Sequence, residues 1–139
     1  MSAEANRIIF QRFVQFINSG SRELAVELVS PDAIFHAPGV PEPLRGPDGY
    51  LQLLTMLRGG FPDVQWTLDE LIAEGDRVAA RFTMRGTHDG PFMGLPPSGK
   101  PFVASSMAFY RLSDGKIVEE NGLPDMLAIL QQIGAAQSP

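Results

Sequence analysis

Two histidines, His36 and His88, two tyrosines, Tyr50 and Tyr110, and an aspartate between a strand and a helix, Asp125, are the side chains of this chain best suited to chemistry. An aspartate whose pKa is set by burial can act as a general base at the mouth of a cavity. Asp125 equally suits a plain helix N-terminal carboxylate, favoured by the helix dipole by only about 0.3–1 kcal/mol. An imidazole can donate a hydrogen bond to a developing oxyanion or shuttle a proton near neutral pH. His36 falls on a strand among apolar neighbours, whereas His88 stands at a loop entry where a solvated turn is the alternative. Tyr50 and Tyr110 can each present a phenol to a carbonyl, although a strand tyrosine such as Tyr110 also reads as half-buried packing. No close-spaced pattern such as His-x-x-x-His occurs and there is no cysteine, so neither a metal nor a disulfide is expected.

A substrate for these groups would need apolar walls. Trp66, Phe82, Phe92, Met93 and Met107 read first as core, but the same side chains could line a pocket. Phe92 and Met93 stand with Leu95 in a loop rich in glycine and proline, where large apolar residues imply something to cover. Arg81 and Arg85 fall on the strand face opposite Val78, Ala80 and Phe82. They read as surface charges, or as contacts for an acidic substrate if that face is concave.

The elements that must position these residues follow from periodicity. Ile8, Ile9, Phe13, Phe16 and Ile17 recur at helical spacing up to Asn18-Ser19-Gly20, and Ser21 can cap a short second helix closed by Ser30-Pro31. Residues 33–37 read as a short strand and 38–46 as loop. Pro47 opens a third helix that ends at Arg58-Gly59-Gly60. From Val64 the pattern changes to long strands joined by the turns Glu74-Gly75-Asp76 and Ser113-Asp114-Gly115, with a loop from Asp89 to Pro101. In the last strand Ile117, Glu119 and Asn121 share a face, and Leu127, Leu130 and Ile133 suit a final short helix. Helices first and antiparallel hairpins afterwards is an α+β layout, with a curved sheet packed against the N-terminal helices and a concave volume for a ligand.

The chain of 139 residues suits one domain spanning 1–139, with a disordered tail expected over 135–139. A net charge of −5 without a basic run argues against nucleic acid. No apolar run approaches the roughly 20 residues of a membrane span, and no signal peptide is visible, so a cytoplasmic setting is expected.

The segments Phe61-Pro62-Asp63, Ala73-Glu74-Gly75-Asp76-Arg77-Val78 and Gly86-Thr87-His88, followed by Gly94-Leu95-Pro96-Pro97-Ser98-Gly99-Lys100, resemble the SnoaL-like polyketide cyclases of the nuclear-transport-factor-2-like superfamily. The resemblance continues through Tyr110-Arg111-Leu112, Asp114 to Glu119, and Asp125 ahead of Leu130-Gln131-Gln132-Ile133-Gly134. It implies a cone of curved antiparallel sheet and three helices, and a homodimer. It also implies a cofactor-independent enzyme whose aspartate, at the place of Asp125, takes a proton next to a carbonyl so that the enolate closes a ring by aldol addition. His36 or His88 would be its electrophilic partner, and Tyr50, Trp66, Phe82, Phe92, Met93, Met107, Tyr110 and Asn121 would meet a polyketide-like substrate. The chain departs from the family at Glu120-Asn121, where many members carry His-Trp. That change removes an imidazole relay and an aromatic wall, leaving Glu120 as an edge carboxylate or an acid–base group in its own right. It keeps open a non-catalytic small-molecule-binding or dimerisation module. Neither the carboxylate before Pro38 of a ketosteroid-isomerase-like site nor the Arg-x-Asp pair of a limonene-epoxide-hydrolase-like site is present.

Overall fold

The computed structural model describes residues 2–38 and 40–136. Three helices, α1 (Ala3–Ser19), α2 (Arg22–Leu28) and α3 (Gly46–Gly60), lie on one face of a six-stranded sheet. Its strands are β1 (Val29–His36), β2 (Leu44–Arg45), β3 (Gln65–Glu74), β4 (Arg77–Thr87), β5 (Pro101–Ser113) and β6 (Lys116–Pro124), and a short α4 (Met126–Gln132) follows. The spatial order is β2-β1-β6-β5-β4-β3, antiparallel throughout except where β1 runs parallel to β6.

Local chemistry sets the helix ends. Ser2 and Ser21 cap α1 and α2 by accepting from Ala5 N at 3.1 Å and Leu24 N at 3.3 Å. Gly20 ends α1 at φ 67°, a conformation that disfavours any residue with a Cβ. Arg58 then reaches across from α3 and donates to Ile17 O at 2.8 Å, satisfying a carbonyl left over at that end. Asn18 clasps the backbone of Trp66, donating from Nδ2 to O at 2.9 Å and accepting at Oδ1 from N at 2.8 Å. This pair pins the end of α1 to the start of β3 and so fixes where the Trp66 ring stands.

Strict alternation of buried and exposed residues along β4 and β5 gives the sheet a wet outer face and a covered inner face. Phe10, Phe13, Phe16 and Ile17 of α1 bury against the inner face together with Val78, Phe82, Tyr110 and Leu112. A second apolar cluster gathers Phe61, Phe92 and Phe102 with Ile129 and Ile133 at the α4 end.

Two expectations change. The second helix ends at Leu28 rather than at Ser30-Pro31: the chain enters β1 directly from α2, and Pro31 falls where the β1–β6 register shifts, so no ladder bond is asked of its missing N–H. The loop before α3 contains the two-residue strand β2, paired through Ile34–Arg45 and Phe35–Leu44. Of the tail, Ala135 and Ala136 still donate to Leu130 O at the end of α4, and 137–139 lie outside the described residues. Among the described residues no helix is long and apolar enough to cross a membrane.

Candidate active site

Between α1, α3 and the inner face of β4, β5 and β6 lies a cavity of about 290 Å³. Its walls are mostly apolar: Trp66, Phe82 and Met84 from the sheet, Leu53 and Leu54 from α3, and Phe92 with Met93 from the β4–β5 loop. Among the described residues no lysine or arginine lines it.

A carboxylate lies buried among these walls. Glu120 is only 7% exposed, and Tyr50 donates its phenol proton to Oε1 at 2.9 Å. Tyr110, its cross-strand partner on β5, brings a second phenol up to the same carboxylate. Burial raises the Glu120 pKa, the two phenols lower it, and burial wins, leaving it at about 7. Desolvation, followed by the neighbouring carboxylate charge, pushes both phenols well above their ordinary value, so they stay donors at any ordinary pH.

The aromatic core holds this trio. Tyr50 is boxed by Phe35, Phe13 and Phe16 at ring-centroid distances of 4.6, 5.3 and 5.5 Å. Tyr110 packs edge-on against Phe10 at 4.6 Å and Phe13 at 5.6 Å. Beyond the carboxylate the inner face flattens to Ala108 and Gly122, which pair across the strands. A Cβ on Gly122 would stand 3.4 Å from Oε2 of Glu120, so the glycine leaves that oxygen open on the cavity side.

Glu120 faces inward because β6 carries a bulge. Leu112 pairs with Ile117 but Arg111 pairs with Glu119, so two steps on β6 match one on β5. The bulge inverts the side-chain parity expected from Ile117: Glu120 enters the cavity, and Asn121 points to the outer face and does not line it. Alternation then continues through Gly122 and Pro124, which line the cavity, so Asp125 falls outside it. Asp125 is exposed and caps α4, accepting from Ala128 N at 3.0 Å. It opens on the outer face beside Met107 and Leu123, and Met107 likewise lies outside the cavity.

The histidines separate. His36 stands exposed at the cavity rim next to Ala37 and Pro38. His88 is 1% exposed and lies outside the lining. Its Nδ1 accepts from Ser98 N at 3.2 Å and meets Ser98 Oγ at 2.9 Å, which places the ring proton on Nε2, an atom without a hydrogen-bond partner among the described residues. His88 thus ties together the base of the loop whose tip, Phe92 and Met93, closes over the cavity. Tyr50, Trp66, Phe82, Phe92, Met93 and Tyr110 all reach the cavity. Glu120, which sequence parity placed outside, is the carboxylate among them. Among the described residues no cluster of three or more His, Cys, Asp or Glu could hold a metal.

A family model described as SnoaL-like polyketide cyclase matches residues 7–133. The chain belongs to the SnoaL-like polyketide cyclase family. Its relatives include the aklanonic acid methyl ester cyclase DnrD of Streptomyces peucetius, 29% identical over 133 residues that span 91% of this chain and 88% of DnrD. The nogalonic acid methyl ester cyclase of Streptomyces nogalater is 29% identical over 123 residues, 87% of this chain and 91% of its own. Among solved structures, IdmH from Streptomyces antibioticus superposes with a TM-score of 0.82 at 34% identity, over 92% of this chain and 97% of IdmH. TsrD from Streptomyces laurentii gives 0.84 at 26% identity, over 98% and 99%. Fold and family are those that the sequence resemblance implied.

The position of Asp125 yields a direct expectation. Replacing it with alanine removes a helix cap and should cost about 1 kcal/mol in chemical denaturation while leaving turnover unchanged. A loss of turnover beyond tenfold at full folding would restore Asp125 as a reacting group.

Proposed function

We propose that this protein is a cofactor-independent cyclase that removes a proton next to a carbonyl and closes a ring by intramolecular aldol addition, with Glu120 as the base. The observation that carries the reading is a carboxylate buried in a mostly apolar cavity, held by the Tyr50 phenol with the Tyr110 phenol beside it. With its pKa near 7, Glu120 is a far stronger base than an exposed glutamate and is still substantially ionised at neutral pH. It takes the proton from the carbon acid, and the enolate carbon attacks a second carbonyl of the same chain. The alkoxide formed there takes a proton back, so Glu120 ends as it began. The apolar walls fold the substrate into attack geometry, worth several of the ~7–11 kcal/mol that full orientation can supply.

The substrate class that fits is a small, uncharged polyketide-like molecule. The curated relatives are named for methyl esters, and a cavity without lysine or arginine suits an acid that has been esterified. The test is incubation with aklanonic acid methyl ester and nogalonic acid methyl ester in deuterated buffer. Ring closure, or deuterium entering the substrate at the carbon next to the carbonyl, supports the proposal. Neither event with either ester, at saturating protein, counts against it.

A homodimer through the outer sheet face is part of the same proposal. Met107, Phe109 and Leu123 stand 57%, 67% and 74% exposed there, side by side on β5 and β6. Light scattering should give twice the monomer mass, and Phe109→Asp should halve it. A wild-type monomer at micromolar concentration would refute this part alone.

A further inference from the structure

Ser106 is a polar residue in the cavity with no role in the chemistry above. It lies on the inner face of β5, where its cross-strand neighbours are Phe82 on β4 and Pro124 on β6. Neither offers a side-chain hydrogen-bonding group, and proline has no N–H. The flanking inward residues of its own strand, Ala104 and Ala108, are small and apolar. Ser106 is 9% exposed, lines the cavity, and its hydroxyl makes no hydrogen bond to any described residue. Its oxygen is not sealed in the protein but opens on the cavity, so a polar atom of a bound molecule can reach it. Such a hydroxyl gains a partner when a ligand oxygen takes the place of cavity water.

The placement of this hydroxyl relative to Glu120 gives it a use. Tyr110 pairs with Glu120, Ala108 with Gly122 and Ser106 with Pro124, so three successive inward pairs form a strip along the cavity. The carboxylate and its phenols stand at one end, a smooth patch of Ala108 and Gly122 lies in the middle, and a lone hydroxyl stands at the other end. Four residues of strand separate the polar ends, roughly 13 Å along the backbone. We infer that Ser106 is a second polar anchor of the cavity, taking an oxygen of an elongated, uncharged ligand whose other oxygenated end lies at Glu120. Its role is positional. By fixing one end of the ligand it selects which carbon lies against the carboxylate, and hence which ring forms. In this last respect the inference rests on the cyclase proposal, whereas the anchor itself does not.

The test uses two rod-shaped probes in calorimetric titration of the full chain. 4,4'-Dihydroxybiphenyl carries an oxygen at each end, and 4-hydroxybiphenyl lacks one. Wild type should bind the diol about 3- to 10-fold more tightly, the usual worth of one neutral hydrogen bond. Ser106→Ala should bind both probes alike, with the affinity of wild type for the mono-ol, and its unliganded protein should be as stable as wild type or more so. A preference for the diol that survives in Ser106→Ala overturns the inference, as does failure of wild type to bind either probe. A clear loss of stability in unliganded Ser106→Ala also overturns it, because the hydroxyl would then serve the fold. Turnover of the two methyl esters by wild type decides the cyclase proposal separately. A serine-dependent diol preference in a protein that turns over neither ester would leave the anchor standing and remove the cyclase.

Discussion

Glu120→Gln should reduce turnover by about 10²–10⁴-fold, the range one aligned general base contributes, while leaving the fold and ligand affinity in place. The amide keeps the shape of the carboxylate and can still accept from Tyr50 at the position of Oε1, so binding has little to lose. What disappears is the proton acceptor. The same group dictates the pH profile. Because the base works only when ionised, wild-type turnover should rise about tenfold per unit up to about pH 7 and level off above it. A rise centred near 4.5, the ordinary value of a glutamate, would mean that water reaches the carboxylate. A variant with full turnover would remove Glu120 from the chemistry.

Stability should move in the opposite direction to rate. The folded pKa of Glu120 is raised from 4.5 to about 7, so between those values the folded chain holds a proton that the unfolded chain has released. The contribution is therefore fully present below about pH 4.5 and is lost as pH rises through about 7. Each unit of that shift corresponds to about 1.4 kcal/mol, so the total is a few kcal/mol. Glu120→Gln carries no such term. Its stability relative to wild type should climb across this window, which is checked by denaturant midpoints of both proteins at a series of pH values.

The contrast between Glu120 and Asp125 shows where a sequence stops being legible. The fold was readable because its signals are periodic and local. Phe13, Phe16 and Ile17 face one side of α1, Phe82 and Tyr110 alternate inward on their strands, and Gly75 and Gly115 turn the hairpins at positive φ. Most of the cavity wall followed, since inward apolar residues on a concave face must line whatever space the helices leave. Glu120 did not follow, because one extra residue in β6 reverses every side chain after it. Counting in steps of two from Ile117 gives Glu119 and Asn121 as inward, and nothing in Ile117-Val118-Glu119-Glu120 marks a bulge. It shows only in how β6 pairs with β5, a long-range property that no local run of residues carries. Asp125 attracted attention through its place in a family motif, yet the parity that brings Gly122 and Pro124 into the cavity leaves it outside, where it caps a helix.

Phe13→Ala should have the largest effect on stability of any change considered, about 3–5 kcal/mol, and should disable the site from a distance. Phe13 is fully buried and packs against four aromatic rings: Phe10, Phe16, Tyr50 and Tyr110. The last two are the phenols beside Glu120, Tyr50 donating to it, so this ring is their common support. Truncating it leaves a void that close-packed neighbours fill only in part, and the nearest side chains free to lean into it are the two tyrosines. Each then loses aim on the carboxylate, and Glu120 loses its fixed direction toward the substrate. Denaturation should show a lower midpoint at unchanged slope, and kcat measured where the variant is fully folded should fall at least tenfold with KM changed less. Phe13→Leu, which keeps most of the volume, should recover the greater part of both. If Phe13→Ala loses the stability but keeps kcat when folded, the phenols are held by their other neighbours, Phe35 and Phe10. The aromatic cluster would then be core alone, with no part in aiming the base.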